Sequence, residues 1–367
     1  MLIEVPMFEQ PILQPIRALL EDPQVTEIMI NGPHQVYVER GGRMVEVEVE
    51  LGDRRQVQAL VETLLEPTGR SISTASPYQD FRLSDGSRVN VIIPPVALDG
   101  PIVTIRKFTR TIETVDDLVL LGTLSPRMAQ LLIAAVRGRL NIIFSGATGT
   151  GKTTALGVLS GNISDRERII TIEDTAELLL KQKHVIRLEC RPPNSEGRGT
   201  VTMAELVRNA LRMRPTRIIV GEIRGDEALD MLQAILTGHE GCLAVVHGSS
   251  PADVMCRLEV MALQRGLAIP LWAIHRQIAS AIDLIVQHDF ARDGTRKITG
   301  ITEIVGVEHD QIMLHDIFTY HSHGLDANGR AIGEWLCDGV RGDLVAKVER
   351  NGVEIPMGTL KVDRAGE

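Results

Sequence analysis

Residues 140–154, LNIIFSGATGTGKTT, have types and spacing that dictate a chemistry. An apolar run from Leu140 to Phe144 leads into Gly146, Ala147, Thr148, Gly149, Thr150 and Gly151, followed by Lys152, Thr153 and Thr154. The pattern is G-x-x-x-x-G-K-[ST], the phosphate-binding loop. Its glycines reach backbone angles closed to other residues, so successive N–H groups can converge on phosphate oxygens. Lys152 adds a mobile positive charge near the β- and γ-phosphates, and the Thr153 hydroxyl is a ligand for Mg²⁺. A helix starting at about Lys152 would add its N-terminal dipole to the same anion site. An unliganded Gly-rich turn is the alternative, but the whole motif stands in its strand–loop–helix setting. The loop reads as a nucleoside triphosphate site.

Such a site needs carboxylates nearby. RIIVGE, residues 217–222, ends in Glu222, placed to hold or orient Mg²⁺ at the end of a neighbouring strand. RIITIE, residues 168–173, ends in Glu173, which could polarise an attacking water as general base. Taken singly, a Glu after an apolar strand is an ordinary solvated loop residue; two of them downstream of a phosphate loop form a pattern. His239 and His247 bracket the strand CLAVVH, and both could face one sheet edge and sense a γ-phosphate. Two satisfied strand-end histidines fit the same spacing. It is not a metal-ligand spacing, and no third ligand is apparent.

The elements that must position these groups fall into two domains and a linker. Residues 1–107 form a small α+β domain: a helix over 10–22, strands VTEIMI, VYVER and MVEVEVEL, a helix over 53–66, then extended segments from 78. Residues 108–124 read as a linker. From 125 to 367 apolar strands alternate with helices, the sign of a mainly parallel sheet, with a C-terminal extension. Its strands are expected at 140–145, 168–173, 185–189, 217–222 and 242–247. Ser125-Pro126 and Ser250-Pro251 start helices, and Thr202 with Glu205 makes a capping box. Three antiparallel strands follow from 283, and residues 324–367 read as a Gly-rich charged tail. His315, His321 and His323 are expected to be solvated loop residues.

The chain has 367 residues, a net charge of −9 and only 3% aromatic residues, which argues against a nucleic-acid partner. Four cysteines without C-x-x-C spacing read as reduced thiols. MLIEVPMFEQ has no basic n-region, so no signal peptide is expected. The most apolar stretch, 267–287, is broken by His275, Arg276 and Asp283, so no membrane span is expected and the protein reads as cytoplasmic.

GATGTGKTT, TIEDTAEL, LRMRPTRIIVGEIRGDEA and TGHEGCLAVVHG together resemble the phosphate loop, Asp box, Walker B region and His box of the secretion ATPases. These are the hexameric motors of type II secretion, type IV pili and type IV secretion. DPQVTEIMINGPHQVYVERGGR, SRVNVIIPPVALDGPIVTIRKF and LRMRP look most like the tight-adherence (Flp) pilus branch, the CpaF/TadA-type ATPases. The resemblance implies a RecA-like P-loop NTPase domain preceded by a smaller α+β (PAS-like) domain, with ATP and Mg²⁺ as cofactors. It assigns phosphate and Mg²⁺ binding to Lys152 and Thr153, the base to Glu173, the Mg²⁺ shell to Glu222, and γ-phosphate reading to His239 and His247. It also implies that Arg88 and Arg106 of the N-terminal domain close over the nucleotide; Arg214 and Arg224 are weaker candidates for contacts between subunits. A homo-hexamer docked on inner-membrane platform proteins is the implied assembly. Thr216 and Val245-Val246 depart from the family pattern, away from the phosphate chemistry, and the four-cysteine zinc module of type II members is missing.

Three other readings remain at this point. A conjugation-type secretion ATPase shares nearly the same core motifs. A RecA-like nucleic-acid motor would need the basic, aromatic stripe that is lacking. A nucleotide-bound assembly protein without turnover would not need two carboxylates. A GTPase is disfavoured because no N-K-x-D motif occurs.

Overall fold

The computed structural model describes residues 10–83, 85–107, 112–193 and 198–363. The chain divides into two compact units, Met1–Thr111 and Ile112–Glu367.

In the first unit, helix α1 (Gln14–Glu21) precedes strands β1 (Val25–Asn31), β2 (Val36–Arg40) and β3 (Arg43–Val47). Helix α2 (Arg54–Leu65) follows, and then β4 (Tyr78–Arg82), β5 (Arg88–Ile92) and β6 (Ile102–Arg106). The six strands form one antiparallel sheet in the order β3-β2-β1-β6-β5-β4. Alternation makes one face apolar: Ile28, Ile30, Val89, Val91, Val103 and Ile105 are buried with Ile16 of α1 and Val57, Leu60, Val61 and Leu64 of α2. Asp53 and Gln56 start α2 with a reciprocal capping box, worth about 1 kcal/mol. The opposite face carries the polar side chains, Arg88 and Arg106 among them.

The second unit begins with α3 (Val115–Leu120), inside the stretch read as linker; residues 108–111 of that stretch lie outside the described residues. Its Thr114–Asp117 capping box explains the helix. Then come α4 (Pro126–Arg137), β7 (Ile142–Gly146), α5 (Lys152–Ser160), β8 (Ile169–Glu173), β9 (Val185–Glu189) and α6 (Met203–Ala210). They are followed by β10 (Arg217–Ile223), α7 (Glu227–Leu236), β11 (Leu243–His247), α8 (Pro251–Leu263) and α9 (Leu271–Ala281). The unit closes with β12 (Leu284–Phe290), β13 (Arg296–Glu308), β14 (Gln311–Leu325), β15 (Ala331–Cys337) and α10 (Leu344–Arg350).

These strands make a nine-stranded sheet in the order β15-β14-β13-β12-β7-β11-β10-β8-β9. From β12 to β9 every pairing is parallel, and from β12 to β15 every pairing is antiparallel. Phe144 of β7 packs with Leu131 of α4 and Leu156 of α5 on one face, while Ile143 packs with Met231, Leu258 and Ile274 of α7–α9 on the other. This is the RecA-like α/β fold. The strand carrying the phosphate loop is therefore buried on both faces and flanked by β11 and β12. The chain leaves β7 toward β8 on one side, and later crosses to β12 on the other. Ligands of open parallel sheets bind at such a reversal, outside the carboxyl ends of the strands.

The tail differs from its expectation. β15 pairs with β14, and α10 buries Leu344 and Val348 in the core shared with α4. Glycine and charge at 324–343 hide the alternation, and polar ties hold the segment: Lys347 to Asp283 at 2.8 Å and Arg127 to Asp363 at 2.8 Å. His315, His321 and His323 are strand residues of β14 and not loop residues; His315 is buried, with its Nε2 3.1 Å from the Gly339 carbonyl.

Candidate functional site

Four strand ends define the site. Across the sheet, β7, β11, β10 and β8 present in turn Gly146, His247, Glu222 and Glu173 at their carboxyl ends. At about 4.8 Å per strand, this row spans roughly 15 Å.

The phosphate loop follows β7. Gly146 has φ +148° and Gly151, which caps α5, has φ +96°, so both need a residue without Cβ. Lys152 is 6% exposed, and its Nζ donates to the Ala147 carbonyl at 2.6 Å, across the mouth of the loop. Thr150 closes the turn from its hydroxyl to the same carbonyl at 2.8 Å. Thr153 is half-buried and Thr154 exposed in the first turn of α5, beside the N–H groups that a helix start leaves unpaired.

Glu173 is buried at the end of β8. One oxygen, Oε2, accepts the N–H groups of Glu177 and Leu178 at 2.6 and 2.9 Å. The other, Oε1, is buried with no hydrogen-bond partner. Burial pushes this carboxyl up to about 7, against the lowering effect of those two N–H groups and of Arg187. A carboxylate pinned by one oxygen, unpartnered at the other and poised near neutrality has the properties of a general base.

Glu222 is engaged differently. Arg224 Nε lies 2.7 Å from its Oε1, Arg224 Nη2 donates to Oε2 at 2.7 Å, and His247 Nε2 lies 2.9 Å from Oε1. Burial would raise its pKa, but the Arg224 hydrogen bond and charge, with the Lys152 charge beyond, hold it below the usual carboxylate value. Glu222 is thus an anion. Burial and the Lys152 charge lower the His247 pKa, with Glu222 opposing them, so His247 is a neutral ring at the end of β11. The turn after Glu222 is fixed by Glu227, whose Oε1 accepts the N–H groups of Arg224 and Gly225 at 2.6 and 2.9 Å.

This arrangement fits a nucleoside triphosphate with Mg²⁺. Converging N–H donors and a lysine suit the phosphates. The Thr153 hydroxyl and an anionic Glu222 are hard oxygen ligands. Among the described residues no cluster of three or more His, Cys, Asp or Glu could hold a metal ion by itself.

The family described as Type II/IV secretion system protein matches residues 9–334. The chain belongs to that family. A Mycobacterium tuberculosis protein named provisionally for conjugal transfer is 35% identical over 79% of this chain and 83% of its own length. The type IV secretion system protein VirB11 of Brucella suis is 33% identical over 77% of this chain and 86% of its own. Among solved structures, the pilus retraction motor PilT with bound ADP has a TM-score of 0.56 at 19% identity, covering 94% of this chain and 88% of that one. That likeness is one of fold.

Not all the expected residues converge. His239 lies at the opposite end of β11 from His247, after α7, with its Nδ1 3.2 Å from the Ala234 carbonyl. Two residues on, the Gly241 N–H donates to Asn141 at the amino end of β7. An extended strand carries its two ends more than 13 Å apart, so spacing in sequence did not put both histidines at one edge. Arg88 and Arg106 belong to the first unit, where they stand directly opposite each other on β5 and β6. Arg214 is exposed with φ +54°, at the turn into β10.

The residues alone did not single out Glu227, Gln287, His288 or Arg296. Gln287 and His288 stand in the middle of β12, where a polar pair following the apolar run LIV was the available signal.

Proposed function

We propose that this secretion-family protein is an ATP-hydrolysing, Mg²⁺-dependent motor for pilus assembly or protein secretion. The observation that carries the reading is the buried, unpartnered Oε1 of Glu173 on the strand row that also holds the phosphate loop and the anionic Glu222. Bound Mg²⁺ would neutralise developing charge between the β- and γ-phosphates. Lys152 and the loop N–H groups bind the phosphates, and Thr153 and Glu222 would hold the shell of the ion. Glu173 Oε1 takes a proton from the attacking water. His247, tied to Glu222, reads the γ-phosphate; His239 has no part in that role within one subunit.

The reading extends to the first unit. On this reading Arg88 and Arg106, register partners on β5 and β6, would act on the triphosphate and stabilise the transferring phosphoryl. Domain closure and opening would then convert hydrolysis into movement. The assembly we assign is a homo-hexamer acting on inner-membrane platform proteins from the cytoplasmic side. Among the described residues no helix is long and apolar enough to cross a membrane.

Within the family, the tight-adherence pilus branch is favoured by the N-terminal motif DPQVTEIMINGPHQVYVERGGR and by LRMRP before Walker B. The conjugation-type reading is supported by the names of the relatives. Phosphate release by the purified full chain tests the enzyme. Pilin and prepilin-peptidase genes beside this one, against a conjugative channel set, separate the two systems.

A further inference from the structure

The phosphate loop has a second wall, on the side away from the carboxylates, built by β12 and its hairpin to β13. His288 stands in register with Gly146 and is 1% exposed. A Cβ on Gly146 would run into the His288 carbonyl and lie 2.8 Å from Thr150 Oγ1, so strand and loop are in close contact there. Neither His288 ring nitrogen has a hydrogen-bond partner. Burial, then the Lys152 charge, push its pKa down to about 3, so the ring is neutral, with one N–H to donate. From the other strand of the hairpin, Arg296 Nε donates to the Gly149 carbonyl at 2.7 Å. A Cβ on Gly151 would lie 3.4 Å from Arg296 Cδ.

The planar peptide gives these contacts their meaning. In each trans peptide the C=O and the next residue's N–H point in opposite directions. For the Thr150 N–H to face a phosphate, the Gly149 carbonyl must face outward; for the Gly151 N–H, the Thr150 carbonyl must. The first of these carbonyls, that of Gly149, is the one that Arg296 addresses. We propose that Arg296 is a positioning residue that fixes the Gly149–Thr150 peptide plane of the phosphate loop, whose strand side is packed against His288, so that its N–H groups are aimed before nucleotide binds. The benefit is in affinity: a loop rich in left-handed glycines, ordered in advance, spares the ligand the entropy of ordering it. The inference rests on reading this loop as a nucleotide site.

The test uses the full chain, a fluorescent methylanthraniloyl-ADP and amide hydrogen exchange of residues 146–154 without nucleotide. Arg296 is exposed, so Arg296→Ala keeps the fold. It should weaken the analogue's binding about tenfold and speed exchange at Thr150 and Gly151 by a similar factor. Exchange in β8 and β10 should not change, as it would in a general loss of stability. Arg296→Lys should recover most of both effects, since an ammonium can still donate to a carbonyl. Unchanged affinity and unchanged loop exchange in Arg296→Ala would overturn the proposal. A parent protein that binds no analogue would overturn the nucleotide reading instead, while exchange measured without nucleotide would still judge the brace.

Discussion

A Cβ placed on Gly221 of β10 would lie 2.8 Å from Cγ of Glu173 on β8. The strand carrying one acidic residue omits its preceding side chain where its neighbour inserts the other. Gly221→Ala should therefore displace Glu173 without touching the phosphate loop. Turnover should fall by roughly tenfold to a hundredfold while nucleotide affinity stays within about twofold, because an ångström of misplacement is costly to chemistry and not to binding. Steady-state turnover beside equilibrium binding measures the split; full turnover would mean Glu173 needs no fixed position.

Glu173 also sets a pH dependence. A general base works deprotonated, and burial raises this carboxyl to about 7. Turnover should thus rise as pH climbs through that value, from the protonated, inactive acid to the active carboxylate. Glu173→Gln should bind nucleotide normally, lose ~10²–10⁴-fold in turnover, and lose this limb of the profile. A pH series on both proteins checks it.

The bonds from Arg224 and His247 keep Glu222 anionic and aim it. Glu222→Gln should raise the Mg²⁺ concentration needed for half-maximal turnover by about tenfold, a larger shift than Glu173→Gln produces. Identical Mg²⁺ titrations of the two variants would remove the division of labour between the carboxylates.

Much of this was legible in the sequence, for identifiable reasons. The phosphate loop, its strand and its helix are local, fixed by Gly146, Gly151 and Lys152 within a few residues. Helix starts at Ser125-Pro126, Thr202–Glu205 and Ser250-Pro251 were equally local, and each appears as a cap in the structure. What sequence could not show was set by tertiary pairing. Residues before and after a strand look adjacent in a motif, yet the strand's length separates His239 from His247. Why the strand RIIVGE carries a glycine at 221 shows only when β8 is laid beside β10. The Arg296 contact with Gly149 spans 147 positions, and no spacing rule reaches it.

Arg88 and Arg106 face each other on β5 and β6, and on our reading they act on the triphosphate. Arg88→Ala or Arg106→Ala should lower turnover by up to ~10³-fold while changing ADP affinity little. Lysine at either position should rescue in part, lacking the planar fork. ATP, more than ADP, should slow hydrogen exchange over residues 88–106. Equal protection by both nucleotides would return the arginines to an ordinary surface role.

The account stands most directly on phosphate release by the purified full chain with ATP and Mg²⁺, measured beside Lys152→Ala and Glu173→Gln. The expected result is turnover by the parent, loss of nucleotide binding in Lys152→Ala, and retained binding without turnover in Glu173→Gln. Turnover near the parental rate in Glu173→Gln would contradict it, because the carboxylate with the unpartnered oxygen would then have no part in hydrolysis.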